Sequence, residues 1–315
     1  MAVKELRFIL FRKFSMHPDS DPKSAPIGVF DSGVGGLSVL RALTAEIPDE
    51  AYVYLGDQAH VPYGLRSLEE VRQLATSITH FFLSGEAFPP IKLMVVACNT
   101  ASAAALKTLR QDFPNLPIVG MEPAVKPAAE NTHSGVVGVL ATPATFQGAL
   151  YASVVERFAA GVTVLQDTCP SLVGHIEAGE LESGAVQQIL QRSLAPMLDQ
   201  GIDTIVLGCT HYPFVLPLIQ KIAGPGVRVI DPAPAVARQA RRVLIASGMM
   251  RQKKSDPTAR TEKTDRLYMT SGDPQVMAGL LPVLIGETAP VIPLTWHGNR
   301  LGLKYPPVEL ANPQG

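Results

Sequence analysis

The feature that most constrains this chain is a regular alternation of short β-branched runs with segments of helical periodicity, which begins at Ile27. Alternation of this kind is typical of βαβ units, whose strands pair in parallel. The predicted strands are Ile27–Phe30, Ala51–Leu55, Lys92–Ala97, Ile118–Gly120, Val136–Leu140, Val162–Leu165, Thr204–Leu207 and Val227–Ile230. The pattern therefore predicts the α/β class with doubly wound parallel sheets.

The predicted strands also form a repeat with a spacing of about 110 residues. The segment from Gly28 to Ser32 matches the segment from Gly138 to Thr142. Three further pairs keep nearly the same spacing: Tyr54–Asp57 with Val164–Asp167, Val95–Cys98 with Val206–Cys209, and Glu122–Pro123 with Asp231–Pro232. Two α/β halves can share strand-to-helix turns by local physics alone, but the common spacing favours a duplication. We predict two similar domains related by pseudo-symmetry, with a ligand cleft between them.

Two Pro-rich segments mark the predicted crossings between these domains, Glu122–Pro127 and Asp231–Pro234. The first α/β domain would comprise residues 27–122 together with 235–315, and the second would comprise residues 123–234. Residues 1–26 contain charged and Pro-rich sequence and are expected to form a disordered arm. The charged segment 250–266 has no apolar periodicity and is expected to be an exposed loop.

Composition excludes several classes of partner. The 27 Lys and Arg residues nearly balance the 28 Asp and Glu residues, so the net charge is −1. Because no long basic run occurs either, a nucleic-acid-binding surface is not supported. No segment approaches the roughly 18 apolar residues that a membrane-spanning helix needs. The three cysteines, Cys98, Cys169 and Cys209, form no C-x-x-C pair, so we expect reduced cytoplasmic thiols, with no disulfide scaffold or zinc ribbon.

Two of the cysteines occupy equivalent places in the repeat. Cys98 and Cys209 each follow a predicted strand directly, and parallel sheets place ligand sites at that edge. The polar pairs Asn99–Thr100 and Thr210–His211 come next and would lie at helix N-termini, beside amides suited to a carboxylate. Facing domains would direct both thiols into one cleft. Cys169 has no such counterpart and is expected to be an inert buried residue.

A cysteine needs help to ionise. A free thiol with a pKa of about 8.5 is only roughly 3% ionised at pH 7, so forming the thiolate costs about 2 kcal/mol. Asp31 and His211 are the candidate helpers. Asp31 and Ser32 open a glycine-rich turn before the helix from Leu37, and the dinucleotide fingerprint fails because Ser38 stands where its third glycine belongs. A helix N-cap is the alternative role for Asp31.

Two other kinds of site use the same residues. A zinc site would have to recruit Cys98, Cys209 and His211 from distant strands without local ligand spacing. A cysteine hydrolase would use Cys209 with His211 and leave the second thiol unexplained. We therefore predict no metal.

Four ordered motifs resemble those of the bacterial glutamate racemases, which are cofactor-independent members of the aspartate/glutamate racemase family. They are the segments 29–36, 62–64, 97–100 and 208–213, and the similarity runs from about Ile27 to about Pro282. The resemblance implies an isomerase without cofactor that interconverts L- and D-glutamate. It also implies supply of D-glutamate for peptidoglycan, a cytoplasmic location and a homodimer.

The resemblance further implies roles for individual residues. Cys98 and Cys209 would exchange protons with opposite faces of the substrate Cα, with Asp31 assisting Cys98 and His211 assisting Cys209. The implied glutamate-binding residues are Asp31, Ser32, Tyr63, Gly64, Asn99, Thr100, Thr142, Thr145, Thr210 and His211. Glu177 would support the site by orienting His211.

Two alternative functions remain open from the residues alone. An aspartate or broad-specificity racemase is one, since a single methylene separates the substrates. A catalytically silent amino-acid-binding protein on the same scaffold is the other, although such a protein would not need to retain both thiols.

Overall fold

The structure is a computed structural model that describes residues 21–251 and 266–304. Its strands are β1 (Ile27–Asp31), β2 (Tyr52–Gly56), β3 (Leu93–Val96), β4 (Ile118–Gly120), β5 (Val136–Ala141), β6 (Thr163–Asp167), β7 (Thr204–Gly208), β8 (Arg228–Ile230), β9 (Arg266–Thr270), β10 (Val291–His297) and β11 (Arg300–Leu303). They form two sheets, ordered β11-β10-β9-β2-β1-β3-β4 and β6-β5-β7-β8. Every pairing is parallel except that of β10 with β11.

The strand orders reveal the repeat. The order β2-β1-β3-β4 in the first sheet corresponds strand for strand to β6-β5-β7-β8 in the second. The central strands β1, β3 and β7 are buried along their whole length, as expected where helices cover both faces of a parallel sheet. The predicted α/β fold with two pseudo-symmetric parallel sheets is confirmed, and each of the eight predicted strands ends within two residues of its predicted bounds.

Helices connect the strands. They are α1 (Leu37–Glu46), α2 (Leu68–Leu83), α3 (Asn99–Asp112), α4 (Val125–Asn131), α5 (Pro143–Gln147), α6 (Ala149–Phe158), α7 (Leu172–Glu177), α8 (Gly184–Asp199), α9 (Leu216–Ala223), α10 (Ala233–Ala246) and α11 (Pro274–Ile285). Short 3₁₀ turns lie at Pro22–Ser24, Tyr63–Leu65 and Tyr212–Val215. Across residues 21–251 and 266–304, no helix is long and apolar enough to cross a membrane.

The chain returns to the first sheet after β8. Helix α10 packs against α1, and β9 then pairs with β2, so residues after the second predicted crossing rejoin the first sheet. Strands β9, β10 and β11 extend only this sheet and were not predicted. The proposed domain boundaries at 122/123 and 234/235 agree with this path and stay predictions.

Two terminal and loop expectations differ from the structure. The part of the predicted disordered arm at residues 1–20 lies outside the described residues, but Pro22–Ser24 forms an ordered turn. Its Lys23 carbonyl accepts a hydrogen bond from Lys92, which also pairs with the buried Glu50. In the predicted loop 250–266, residues 252–265 lie outside the described ranges. Arg266 is not in a loop, because it begins β9 opposite Tyr52.

Candidate active site

The carboxyl ends of the central strands surround a small cavity. Such edges of parallel sheets are where ligands bind in α/β proteins. The lining residues come from loops of both sheets: Ser32, Pro62, Tyr63, Gly64, Cys98, Asn99, Thr100, Thr142, Val173, Cys209, Thr210 and His211. Of the site residues predicted from sequence, Asp31, Thr145 and Glu177 do not line this cavity. Each lies directly behind a lining residue with which it forms a hydrogen bond.

Cys98 lies at the N-cap of α3. Its sulfur accepts a hydrogen bond from the Ala101 amide at 3.4 Å and lies 4.0 Å from the Ser32 hydroxyl. Burial raises the pKa of the Cys98 thiol, and the negative charge of Asp31 raises it further. Cys98 is therefore held in the protonated form, which can donate a proton.

Cys209 has a different environment, dominated by an imidazole. His211 Nδ1 lies 3.7 Å from the Cys209 sulfur, and His211 Nε2 lies 2.7 Å from Glu177 Oε1. Burial opposes a charge on the ring, but the hydrogen bonds to Cys209 and Glu177 raise the pKa of His211 well above its usual value. With both ring nitrogens protonated, the imidazolium donates to the sulfur on one side and to the carboxylate on the other.

Glu177 is the acidic partner of this pair, at the C-terminal end of α7. Burial would raise its pKa, but the hydrogen bonds from His211, from the Gln58 amide and from the Val34 backbone amide lower it. The carboxylate is therefore ionised beside the imidazolium. The spacing of Glu177 and His211 in the sequence does not indicate that they form a pair. Only the family resemblance pointed to Glu177.

Asp31 is not a helix cap, contrary to one of the two roles considered from sequence. Helix α1 begins at Leu37 after Gly36, whereas the Asp31 carboxylate accepts from the Gly33 amide at 2.9 Å and from the Thr210 hydroxyl at 3.0 Å. The carboxylate therefore binds the glycine-rich turn and Thr210, although the Asp31 Cβ atom lies close to Gly36. Burial raises the pKa of Asp31.

The segment after Cys209 also departs from expectation. Thr210 and His211 do not begin an α-helix, because a 3₁₀ turn at Tyr212–Val215 intervenes before α9. Pro213 and Pro217 account for this, since proline cannot donate the backbone hydrogen bonds of a continuous helix. By contrast, Asn99 and Thr100 do lie in the first turn of α3.

Threonine hydroxyls join the loops of the two sheets. Thr100 lies 2.9 Å from Thr142, and Thr142 lies 2.9 Å from Thr145, so Thr145 supports the cavity wall from behind. Beside them, the buried Asn99 Oδ1 has no hydrogen-bond partner within residues 21–251 and 266–304. A buried acceptor without a partner is costly, so this oxygen is suited to a donor group on a ligand.

The glycines of the predicted turn allow close approach between the two halves. A Cβ atom on Gly33 would collide with Glu177, and one on Gly35 would collide with His211. A Cβ atom on Gly64 would likewise collide with Thr142. These glycines therefore make room for side chains of the other sheet.

Sequence reasoning missed a buried carboxylate that organises the cavity wall. Asp57 follows β2 and accepts hydrogen bonds from Tyr63 and Ser271 at 2.6 Å each and from Trp296 at 2.8 Å. Hydrogen bonds, including one from His60, outweigh burial and lower its pKa. The repeat contained a signal, because Asp57 matches Asp167, but Ser271 and Trp296 come from segments with no motif.

Two larger clefts lie elsewhere on the surface. One is lined by His80, Glu86 and Arg300, and another is lined by Lys92 and Phe113. Neither contains a cysteine or a group of convergent polar side chains like that around Cys98. The smaller cavity between the sheets is therefore the candidate active site.

Comparison with known proteins identifies relatives along most of the chain. The family model of Asp/Glu/Hydantoin racemases matches residues 27–240. The glutamate racemase of Stutzerimonas stutzeri (strain A1501) is 50% identical over 268 residues, which cover 85% of this chain and 97% of that protein.

Two solved structures are similar along most of their length. The glutamate racemase from Bacillus anthracis has a TM-score of 0.75 and 31% identity, with 86% of this chain and 97% of that chain covered. The glutamate racemase from Francisella tularensis in complex with D-glutamate has a TM-score of 0.73 and 26% identity, with 85% and 96% covered. With the match extending across the glycine-rich turn and both cavity cysteines, the chain belongs to the Asp/Glu/Hydantoin racemase family.

Proposed function

We propose that this protein is a glutamate racemase, an isomerase that inverts the α-carbon of glutamate by proton transfer between Cys98 and Cys209. The observation that carries the proposal is that two thiols line one cavity. They come from corresponding strand ends of two similar sheets. The similar proteins named above are glutamate racemases, and one of those structures contains D-glutamate.

Inversion at one carbon requires a base on one face and an acid on the other. In the proposed reaction, the thiolate of one cysteine removes the Cα proton, and the thiol of the other donates a proton to the opposite face. The thiolate becomes a thiol and the thiol becomes a thiolate, so protons and charge balance. The reverse reaction exchanges the two roles, which suits the pseudo-symmetry of the site.

The surroundings of the cysteines support this assignment. Cys98 is held as a thiol by burial and by the charge of Asp31, so it is prepared to donate a proton. His211 supplies positive charge next to Cys209, as a reactive thiolate requires. We assign Glu177 the role of holding this imidazolium in place through its 2.7 Å hydrogen bond.

Neutral groups would hold the substrate. The hydroxyls of Ser32, Thr100 and Thr210 and the first-turn amides of α3 can donate to carboxylates, which helix N-termini bind readily. The unpaired Asn99 Oδ1 would accept from the substrate ammonium. The Tyr63 hydroxyl donates to Asp57, so its ring serves as a wall. Gly64, Thr142 and Thr145 would complete the pocket, with Asp31 and His211 behind the reacting atoms.

Incubation with L-glutamate in deuterated water tests the proposal. The protein should form D-glutamate that carries deuterium at Cα, and it should do so without added pyridoxal phosphate. Cys169→Ala is the matched control, because Cys169 is buried but does not line the cavity. Cys98→Ala should lose the activity while Cys169→Ala retains it. If neither glutamate enantiomer exchanges its Cα hydrogen, the proposal fails, and turnover of aspartate alone would favour an aspartate racemase.

The biological setting follows from the same proposal. D-glutamate made here would supply peptidoglycan synthesis in the cytoplasm, and the enzyme would act as a homodimer. Rescue of a D-glutamate-requiring bacterial strain by the wild-type gene, and not by the Cys98→Ala gene, would support this role. Light scattering at several concentrations measures the oligomeric state.

A further inference from the structure

The carboxylate of Glu177 connects the two halves of the molecule. Its Oε1 atom accepts from His211 Nε2 and from the Val34 amide, each at 2.7 Å. Its Oε2 atom accepts from Gln58 Nε2 at 2.9 Å. Glu177 and His211 belong to the half that contains the second sheet, whereas Val34 and Gln58 belong to loops at the edge of the first sheet. The carboxylate thus accepts one hydrogen bond from its own half and two from the other half.

The orientation of Gln58 is determined by a third segment. Gln58 Oε1 accepts from the Thr270 hydroxyl at 2.8 Å, and that hydroxyl in turn accepts from the Gly272 amide at 3.0 Å. Because the Thr270 proton is directed to the amide oxygen, the amide nitrogen of Gln58 must face Glu177. A Cβ atom on Gly272 would collide with the Gln58 Cβ, so the side chain is also confined by packing.

We propose that Gln58 is a positioning residue for racemisation: its amide holds the second oxygen of Glu177, and the carboxylate thereby holds His211 against Cys209. This inference rests on the proposed function. Gln58 does not line the cavity and touches no reacting atom, so it acts only through Glu177. The role was not predicted from sequence, because Gln58 belongs to no motif and its partners are distant in the chain.

The charges around Glu177 explain why its second oxygen needs a donor. His211 is the cation that faces it, and Asp31 is a nearby carboxyl whose interaction with Glu177 is unfavourable. Tyr54 and Cys209 are the other titratable groups beside this cluster. Without the Gln58 hydrogen bond, the pKa of Glu177 rises, and only the two donors to Oε1 remain to orient the carboxylate toward the imidazole.

The test compares Gln58→Met with Gln73→Met in the full-length protein. Methionine matches glutamine in size but cannot donate. Gln73 is the matched control, because it donates to the Glu69 carboxylate at 3.2 Å on the exposed face of α2, away from the cavity. Three quantities are measured: kcat and KM for each glutamate enantiomer, the pH dependence of kcat, and the titration of the Glu177 carboxyl by ¹³C NMR, assigned with Glu177→Gln.

We expect Gln58→Met to lower kcat about tenfold in both directions while KM changes little, because a mispositioned acid–base group slows the chemical step. The acidic limb of its pH profile and the Glu177 titration should both move upward by roughly one pH unit. Gln73→Met should stay within about twofold of wild type in kcat.

Two results would overturn the inference. One is a Gln58→Met enzyme with wild-type kcat and an unmoved Glu177 titration. The other is lower activity with unchanged pH behaviour and a loss of thermal stability, which indicates a purely structural role. Failure of the proposed function is distinct, because it would show as a wild-type protein inactive on glutamate, and the NMR titration would still report on Gln58.

Discussion

At the scale of single residues, the two cavity cysteines have matching positions but unlike neighbours. Cys98 has a hydroxyl, a backbone amide and the charge of Asp31 around it, whereas Cys209 has an imidazolium paired with a carboxylate. Similar folds therefore deliver two thiols with unlike electrostatic neighbours. In the proposed two-base reaction, one group must begin as the acid and the other as the base.

Removal of one thiol should separate the two half-reactions. Cys98→Ala and Cys209→Ala should each slow racemisation by about a hundredfold to ten-thousandfold, since an acid–base group contributes roughly 10² to 10⁴ in rate. Each variant should still exchange the Cα hydrogen of only the enantiomer that faces the remaining cysteine. Proton NMR of L- and D-glutamate, incubated separately in deuterated water, measures this. Exchange of the same enantiomer by both variants would contradict the opposite-face arrangement.

The His211–Glu177 pair should give stability with a defined pH dependence. The lowered pKa of Glu177 means that its contribution is present above about pH 4.5 and is lost as pH falls. The raised pKa of His211 means that its contribution is complete below about pH 6.5 and is lost as pH rises through the raised value. Glu177→Gln should therefore lower the free energy of unfolding most between these limits, by about 3 kcal/mol.

A second histidine–glutamate pair provides the control. His175 and Glu180 also lie 2.7 Å apart, but the Glu180 side chain is 50% exposed. Glu180→Gln should change the unfolding free energy by less than about 1 kcal/mol, because solvent screens exposed pairs. Chemical denaturation at pH 4, 5.5 and 8 measures both variants. Equal effects of the two substitutions would show that burial does not strengthen the His211 pair.

At the scale of elements, the turn between β1 and α1 determines how closely the two halves approach. Its glycines lie against Glu177 and His211, so the absence of side chains there is a packing requirement across the cleft. The Asp57 carboxylate also helps to fix the shape of the cavity. It accepts hydrogen bonds from Trp296 of β10 and from Tyr63, which lines the cavity. Segments remote from the cysteines thus hold the cavity in shape.

Gly35→Ala tests the packing requirement. The added methyl group would meet the His211 ring, so we expect kcat to fall by about a hundredfold, since small displacements of catalytic groups have effects of this order. Gly279→Ala is the control, because Gly279 lies in α11 with open space around it. That change should leave kcat unaltered and stabilise the fold by roughly 0.5–1 kcal/mol. Steady-state kinetics and thermal unfolding of the two variants decide the matter, and an active Gly35→Ala enzyme would refute the requirement.

At the scale of the whole molecule, the site is enclosed between the two sheets. Cys98 is 4% exposed and Cys209 is 6% exposed, so we expect the two halves to separate when a substrate enters. The chain crosses between the sheets after β4 and after β8, at the Pro-rich segments proposed as hinges. Movement about these two crossings would admit glutamate without disrupting either sheet.

Small-angle scattering with and without D-glutamate tests this movement. Saturating D-glutamate should favour the closed arrangement and reduce the radius of gyration, because a ligand in the proposed site would contact both halves at once. L-arginine at the same concentration controls for a general solute effect. An identical scattering curve in the presence and absence of D-glutamate would contradict a large hinge motion.

Much of this organisation could be predicted from local pattern. Strand ends were predicted within two residues because hydrophobic runs and helical periodicity are properties of neighbouring residues. Ser32, Cys98 and Cys209 were accessible for the same reason, since they follow predicted strand ends, whereas Tyr63 and Gly64 were identified only through the family resemblance. Strands β9, β10 and β11 were missed, because they extend a sheet begun more than 200 residues earlier and carry no repeat of their own.

The sequence by itself determined the α/β class, the duplicated order of strands and the placement of Cys98 and Cys209 at equivalent strand ends. Only the tertiary structure decided that the Asp31 carboxylate binds Gly33 and Thr210, and that Gln58, held by Thr270, donates to Glu177. The physical reason is range. Periodicity and turn chemistry act between near neighbours, whereas Gln58 and Glu177 are 119 positions apart and form a hydrogen bond only after the chain has folded into two facing domains.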